Sequence, residues 1–294
     1  KAPWMLLKSV WQARKVINTV QPDLVLGFGG YASGPGGVAA WLKRLPLLIH
    51  EQNAVAGSTN RLLARLADKV MVAFPAAFSA EPKQLVVGNP VRSELINVAA
   101  AHDYSGELKV LVVGGSLGAR VLNDTLPAIF AKAAAAGAIA VRHQTGKALQ
   151  QQTEQTYQQQ NATQLTANVS AFIDDMAQAY AWADVVICRA GALTVSELAA
   201  AGVAAVFVPL PTAIDDHQSA NARWLTEQGA ALLVAQQDLT EQRLLPLLSQ
   251  WLTDKTPLQQ MAAKARACAL DNATAQVVAQ CQHFAGQQAV GQHL

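Results

Sequence analysis

Five stretches of the 294-residue chain gather polar side chains and glycines at spacings that suit binding or acid–base chemistry. The most specific is Arg189-Ala-Gly-Ala-Leu-Thr-Val-Ser-Glu197. Gly191 frees the backbone, Thr194 and Ser196 offer hydroxyls, and a carboxylate one turn into a helix, at Glu197, can accept two vicinal hydroxyls such as ribose presents. The same spacing also suits a capping box of Thr194 with Glu197, which would make the motif structural. Val112-Val-Gly-Gly-Ser-Leu-Gly-Ala119 places Gly114, Gly115, Ser116 and Gly118 between a strand and a helix start, where anions bind. It is not the dinucleotide fingerprint, because Val113 stands at the first glycine position and the next strand closes in Arg142-His143-Gln144-Thr145 without an acidic residue. Gly146-Lys147 is followed by Ala148 and is not a Walker loop.

Nearer the start, Gly27-Phe-Gly-Gly-Tyr-Ala-Ser-Gly-Pro-Gly-Gly37 holds six glycines in eleven residues. That density costs stability and suits close backbone approach to a phosphate-rich ligand, with Ser33 as a further donor. His50-Glu51-Gln52-Asn53 puts an imidazole, a carboxylate and an amide at another strand end, and Pro209–Asn221 is a polar loop after a buried strand, with Gln218 and Asn221 at i, i+3.

The elements that must carry these groups alternate between short β-rich runs and longer stretches of helical period, which predicts βαβ units. Strands are expected at 23–28, 46–50, 70–74 and 84–87, with helices at 35–43 and 58–67, and then at 109–113, 139–143, 184–188, 204–208 and 231–234. From Asp238 onward the pattern is helical, with Pro257 at a helix start. The predicted organisation is a first domain over 1–98, a linker over 99–107, a second domain over 108–270, and a terminal helix over 271–294 that packs back on the first domain.

Composition narrows the class. The chain is 51% hydrophobic and 14% charged, the profile of a folded chain with ample core material, and no apolar run is long enough for a membrane span. Cys188, Cys268 and Cys281 fit neither a disulfide framework nor a zinc site, so a reducing compartment is expected. Residues 1–98 carry eleven Lys/Arg against five Asp/Glu, and 99–294 carry eleven against fifteen. A basic first half suits an anionic partner, but without interleaved aromatics on a strand platform nucleic acid is not expected. The chain opens on Lys1 with no signal peptide, and a preceding segment is expected.

Taken in order, G-G-Y-x-S-G-P-G-G, H-E-Q-N, V-G-N-P-V-R (87–92), V-G-G-S-x-G-A, F-I-D-D-M (172–176) and R-x-G-A-L-T-V-S-E closely resemble the MurG family, within glycosyltransferase family 28. The resemblance covers essentially the whole chain. It implies an α/β fold of the GT-B type, two Rossmann-like doubly wound domains facing across a cleft, the first lacking its N-terminal part. It implies an inverting hexosyltransferase that moves N-acetylglucosamine from UDP-GlcNAc to a lipid-linked MurNAc-pentapeptide during peptidoglycan synthesis, with no cofactor and no essential metal. The pairs Asp174-Asp175 and Asp215-Asp216 are not the D-x-D of a metal-dependent transferase. Expected partners are UDP-GlcNAc, the undecaprenyl-linked acceptor, an anionic membrane surface and cell-wall synthesis proteins, at the cytoplasmic face of the cell membrane.

Carried over by residue, the resemblance assigns the donor diphosphate to Ser116 and its glycine turn and the uracil to Ile173. Diphosphate, sugar and ribose fall to Ala192, Leu193, Thr194, Val195, Ser196 and Glu197, and the sugar also to Gln218. Asn53 and Arg92 reach in from the first domain. Gly29, Gly30, Ser33, Gly34 and Gly36 receive the acceptor's pyrophosphate, and His50 and Glu51 are the candidates to assist proton removal. The family's early G-G-T-G-G-H loop does not occur in these 294 residues, which predicts weak or absent transfer by this stretch alone. Trp4, Leu7 and Trp11, with Lys8, Arg14, Lys15 and, further on, Trp41, Lys43 and Arg44, match an apolar patch ringed by basic residues. An ordinary core helix would show the same spacing. Two other functions use the same architecture: a UDP-sugar epimerase, and a fragment that binds nucleotide sugar without turnover.

Overall fold

The computed structural model describes residues 2–78, 81–100, 102–115, 118–211 and 216–291. The chain forms two compact units, one of residues 1–90 with 270–294 and one of 91–269.

In the first unit, β1 (Val25–Gly27), β2 (Leu47–Glu51), β3 (Lys69–Val72) and β4 (Gln84–Val86) pair in parallel in that order. The period-two alternation of a strand sends Leu47 and Ile49, with Val70 and Val72, to one face, and Leu48 with Met71 to the other. On the first face they meet Ile17 of α1 (Ala2–Val20), Ala39 and Ala40 of α2 (Gly30–Leu42), and Leu63 of α3 (Ser58–Ala64). The other face is covered by Val277 from the last helix, Ala273–Gly291.

The second unit is a six-stranded parallel sheet. Its members are β5 (Leu108–Val113), β6 (Ile139–Gln144), β7 (Leu165–Ser170), β8 (Val185–Cys188), β9 (Ala204–Phe207) and β10 (Ala231–Leu233), in the order β10-β9-β8-β5-β6-β7. Helices α4 (Arg120–Ala133), α5 (Gln150–Gln159), α6 (Met176–Trp182), α7 (Ala192–Ala201) and α8 (His217–Thr226) are interleaved with the strands, followed by α9 (Glu241–Thr253) and α10 (Thr256–Ala267). Helix Ala273–Gly291 is then α11. The central strands β8 and β9 are buried at every residue, which is why they read as unbroken apolar runs. Strand order reverses between β5 and β8, and in open parallel sheets such a switch point opens a crevice beyond the strand carboxyl ends.

Three expectations change. The expected 99–107 linker lies inside the second unit: the N–H groups of Asn97 and Ala99 donate to the carbonyls of Ala200 and Ala201, and His102 is bonded to Asp184. Charge balance changed sign there, but the two compact units divide between Pro90 and Val91. Strand β7 was not anticipated, because Leu-Thr-Ala-Asn-Val-Ser pairs with β6 alone at the sheet edge and stays half-exposed. Finally, the helix expected at 35–43 begins earlier: α2 starts at Gly30 and contains Ser33, Gly34, Pro35, Gly36 and Gly37.

Candidate functional site

At the switch point of the second unit lies a cavity of about 820 Å³, walled in part by Gly114, Gly115 and Gly118 after β5, Arg189 and Gly191 after β8, Thr194 in α7, and Leu210, Gln218 and Gln236. The turn after β5 is held by backbone. Gly114 donates to the Gln144 carbonyl at 3.1 Å and Gly118 to the Gly115 carbonyl at 2.9 Å. A Cβ on Gly118, whose φ is +75°, would stand 2.1 Å from the Thr145 carbonyl oxygen, so only glycine permits this approach. Two helices of ten or more residues, α4 and α7, start at this rim, and unpaired N–H groups and the helix dipole favour an anion there. Ser116 lies outside the described residues.

Arg189 and α8 fix the far wall. The Arg189 guanidinium donates to the carbonyls of Val208 (2.9 Å) and Pro209 (3.1 Å) and to Gln236 Oε1 (2.7 Å), joining three segments that follow separate strands. Gln218 accepts from the Leu210 N–H at 2.9 Å, and Asn221 donates to the Ala190 carbonyl at 3.2 Å. The i, i+3 pair therefore shares the task of tying two loops to α8.

Glu197 is not part of a capping box. Helix α7 begins at Ala192 with Gly191 as its N-cap, so Thr194 already lies inside it, and Ser196 returns its hydroxyl to the Ala192 carbonyl. The Glu197 carboxylate instead accepts the Tyr180 hydroxyl at 3.1 Å through Oε2, while no described residue hydrogen-bonds its other oxygen. Burial pushes its pKa up, against the opposing effects of the Tyr180 hydrogen bond and the Arg92 charge. Arg92, expected in the first domain, belongs to the second unit and also pairs with Glu94 at 3.0 Å. Ala192 and Val195 are buried, Leu193 is exposed, and Thr194 and Ile173 are half-buried.

In the first unit, Gly29 and Gly30 adopt φ of +80° and +74° and turn the chain into α2. The Ser33 hydroxyl donates to the Gly29 carbonyl at 2.6 Å. Further along, a Cβ at Gly37 would lie 2.7 Å from a methyl of Leu63, so that glycine serves the α2–α3 contact. His50 is fully buried and its Nε2 lies 2.9 Å from the Gly88 carbonyl, which fixes the proton on Nε2. Burial lowers its pKa, and Nδ1 finds no hydrogen-bond partner among the described residues. Glu51 accepts from the backbone N–H groups of Asn53 (2.9 Å) and Gly57 (3.0 Å) and from the Asn60 amide (2.9 Å), with a longer contact to the Asn53 amide. Its geometry is that of an anchor for 52–60.

No group of three or more His, Cys, Asp or Glu gathers to hold a metal among the described residues. Asp175 instead caps α6, accepting from the Gln178 N–H at 2.8 Å. Asp215 lies outside the described residues. Sequence reading missed Tyr180, Arg189 and Asn60 as working members. Arg189 heads the most specific motif, a signal that was available, whereas Tyr180 and Asn60 carry none.

A model of the glycosyltransferase family 28 C-terminal domain matches residues 109–279, and one of the family 28 N-terminal domain matches 1–72. A protein of Aeromonas hydrophila named UDP-N-acetylglucosamine--N-acetylmuramyl-(pentapeptide) pyrophosphoryl-undecaprenol N-acetylglucosamine transferase is 54% identical, over 97% of this chain and 78% of its own length. A protein of the same name from Chromohalobacter salexigens is 50% identical over 95% and 77%. The crystal structure of Acinetobacter baumannii MurG superposes with a TM-score of 0.85 at 44% identity, covering 96% of this chain and 80% of that one. UDP-GlcNAc 2-epimerase from Neisseria meningitidis, bound to UDP-GlcNAc, gives 0.67 at 12% identity over 96% and 82%, a likeness of fold alone.

Proposed function

The chain belongs to glycosyltransferase family 28, and we infer that it transfers N-acetylglucosamine from UDP-N-acetylglucosamine to an undecaprenyl-pyrophosphoryl N-acetylmuramyl-pentapeptide. The observation that carries the donor half is the cavity at the switch point, which opens beside the starts of two helices; Glu197, one turn into α7, keeps an oxygen that no described residue hydrogen-bonds. The diphosphate sits on the N–H groups that open α4 and α7. Glu197 accepts the ribose hydroxyls, with Arg92 adding positive charge beside it, Ile173 borders the uracil, and Gln218 meets the sugar.

An acceptor hydroxyl attacks the anomeric carbon as the bond to UDP breaks, with inversion there. The charge that develops on the leaving diphosphate is stabilised by fixed N–H groups and helix dipoles. In the first unit the turn at Gly29 and Gly30, with Ser33, Gly34 and Gly36 behind it, receives the acceptor's pyrophosphate. His50 keeps a lone pair on Nδ1 but is fully buried, and the Glu51 oxygens are already taken, so either side chain would take the acceptor proton only if acceptor binding opened a path to it.

The acceptor is lipid-linked, and the first unit offers a surface for meeting it. Trp4, Leu7 and Trp11 on α1 are all more than half exposed, and Trp41 is half exposed. Lys15 lies over the Trp11 ring at 3.7 Å, and Lys8, Arg14, Lys43 and Arg44 supply further charge. No described helix is long and apolar enough to cross a membrane. The reading is therefore peripheral docking at the membrane surface.

Incubation with UDP-GlcNAc and the lipid acceptor tests the activity. With a segment carrying the family's G-G-T-G-G-H loop supplied, a new glycosidic bond in the lipid product is expected, and with these 294 residues alone little or none; a sugar with one changed stereocentre and no lipid product in either case would replace this reading by the epimerase. Docking is tested by sedimentation with vesicles rich in anionic lipid, where recovery in the pellet at low salt and release at high salt are expected. Equal amounts in the supernatant with and without vesicles would remove it.

A further inference from the structure

Beneath the cavity of the second unit runs a chain of buried hydrogen bonds that no step above uses. Tyr157 on α5, His143 on β6, Asn123 on α4 and Thr145 just after β6 are all buried, His143 and Thr145 completely. The Tyr157 hydroxyl lies 2.9 Å from His143 Nδ1, His143 Nε2 lies 3.0 Å from Asn123 Oδ1, and the Asn123 amide nitrogen lies 3.1 Å from the Thr145 carbonyl.

The direction of the chain is determined. Asn123 donates to a carbonyl through its nitrogen, so its oxygen must accept, and His143 must carry its proton on Nε2. Burial lowers the imidazole pKa to about 3, so the ring is neutral and Nδ1 is an acceptor for the Tyr157 hydroxyl, which burial keeps protonated. Each bond therefore points the same way, from α5 toward the Thr145 carbonyl. That carbonyl is the atom against which Gly118 lies, and the neighbouring Gln144 carbonyl receives the Gly114 N–H. The strand end that shapes the glycine turn is thus held from behind, by a side chain of the helix that the turn begins.

We propose that His143 is a positioning residue for donor binding: through Asn123 it fixes the Thr145 carbonyl and, with it, the Gly114–Gly118 turn that meets the diphosphate. This rests on the reading of the cavity as the UDP-sugar site. The link from His143 to Asn123 carries the effect, and the distal Tyr157 bond contributes to stability alone. A buried histidine that only fills the core would show no such asymmetry.

The test compares His143→Gln, whose amide reaches the place of Nε2 and can still serve Asn123, with His143→Asn, which reaches only the place of Nδ1. Both are checked for folding by thermal melting. UDP affinity is then titrated, and hydrogen exchange of the Gly114 and Gly118 amides is compared with that of Val208, whose N–H bonds the Cys188 carbonyl elsewhere in the sheet. His143→Asn should weaken UDP binding about tenfold, the loss of one buried hydrogen bond, and speed exchange at the two glycines but not at Val208. His143→Gln should stay within about threefold of the parent in binding, with slow glycine exchange. Equal UDP affinity in the two variants, or equal acceleration at all three amides, would overturn the proposal. If either fails to fold, Tyr157→Phe against Asn123→Ser supplies the same contrast, with only the second expected to weaken binding, and equality again overturns it. Should the unsubstituted protein not bind UDP, the reading of the cavity falls, while glycine exchange still decides the coupling.

Discussion

Two carboxylates, Glu51 in the first unit and Glu197 in the second, start from similar sequence settings, each among polar residues near the carboxyl end of a buried parallel strand. Their surroundings differ. Glu51 is at the end of β2 and turns both oxygens toward donors of the chain that follows it, two backbone N–H groups and the Asn60 amide among them. Glu197 sits inside α7, where the helix supplies its backbone with partners and leaves the side chain one hydroxyl, that of Tyr180. A carboxylate whose acceptor sites are filled organises the protein; one with a free oxygen can organise a ligand.

Substitution should separate the two most sharply. Glu51→Ala takes the acceptor from the buried Asn60 amide and from two part-buried backbone N–H groups at once, and we expect a loss of about 3 kcal/mol in unfolding free energy by denaturant titration. Stability unchanged within about 0.5 kcal/mol would show that water replaces the carboxylate, and would reopen Glu51 as a chemical group. Glu197→Ala should do the reverse. UDP affinity by calorimetry should fall by about 1.5 to 3 kcal/mol, the range for hydrogen bonds to a charged group, while stability falls by only about 1 kcal/mol, the loss of the Tyr180 hydrogen bond. A variant that binds UDP as the parent does would remove the ribose role.

A smaller effect concerns pH. The Glu197 pKa is raised in the folded state, so the native form binds its proton more readily than the unfolded form. Its contribution to stability is therefore present below the ordinary glutamate pKa and lost as pH rises through the raised folded value. Glu197→Gln should flatten that part of the stability profile, and an unchanged slope would contradict the burial effect. Ribose hydroxyls need the ionised carboxylate, so UDP affinity should rise over the same pH window. The smallest effect expected is that of Tyr180→Phe. Losing one hydroxyl should cost about 0.5 to 1.5 kcal/mol of stability and move the pH midpoint of UDP binding upward, since the Tyr180 bond favours the charged form. A downward movement would mean that the hydroxyl does not donate to Glu197.

The two glycine-rich segments extend the contrast. Both were legible as strand-to-helix joints, because glycine clusters after an apolar run have few other uses. In the second unit the glycines make the turn and touch neighbouring backbone at Gln144 and Thr145. In the first unit only Gly29 and Gly30 turn the chain, and Gly37 makes room for Leu63. Composition alone could not tell a loop from a helix here, because Gly and Pro weaken helix preference while the α1, α2 and α3 contacts restore it.

Periodicity and local chemistry, which are properties of neighbouring residues, were enough to predict two parallel α/β units, most strand positions and the placement of Glu197, Gln218, His50 and the glycine turns near strand ends. The apolar runs of β2, β8 and β9 could not be anything but buried strands between helices. What the sequence did not contain was who meets whom. Tyr180 meets Glu197 from another helix, Arg189 ties three loops, Asn60 completes the shell of Glu51, and His143 stands between Tyr157 and Asn123. Each of these pairings crosses from one element to another, and its distance is set by how helices pack on the sheet. The edge strand β7 and the true division at Pro90 belong with them, since a half-exposed strand is defined by its partner and a unit by the bonds that close around it.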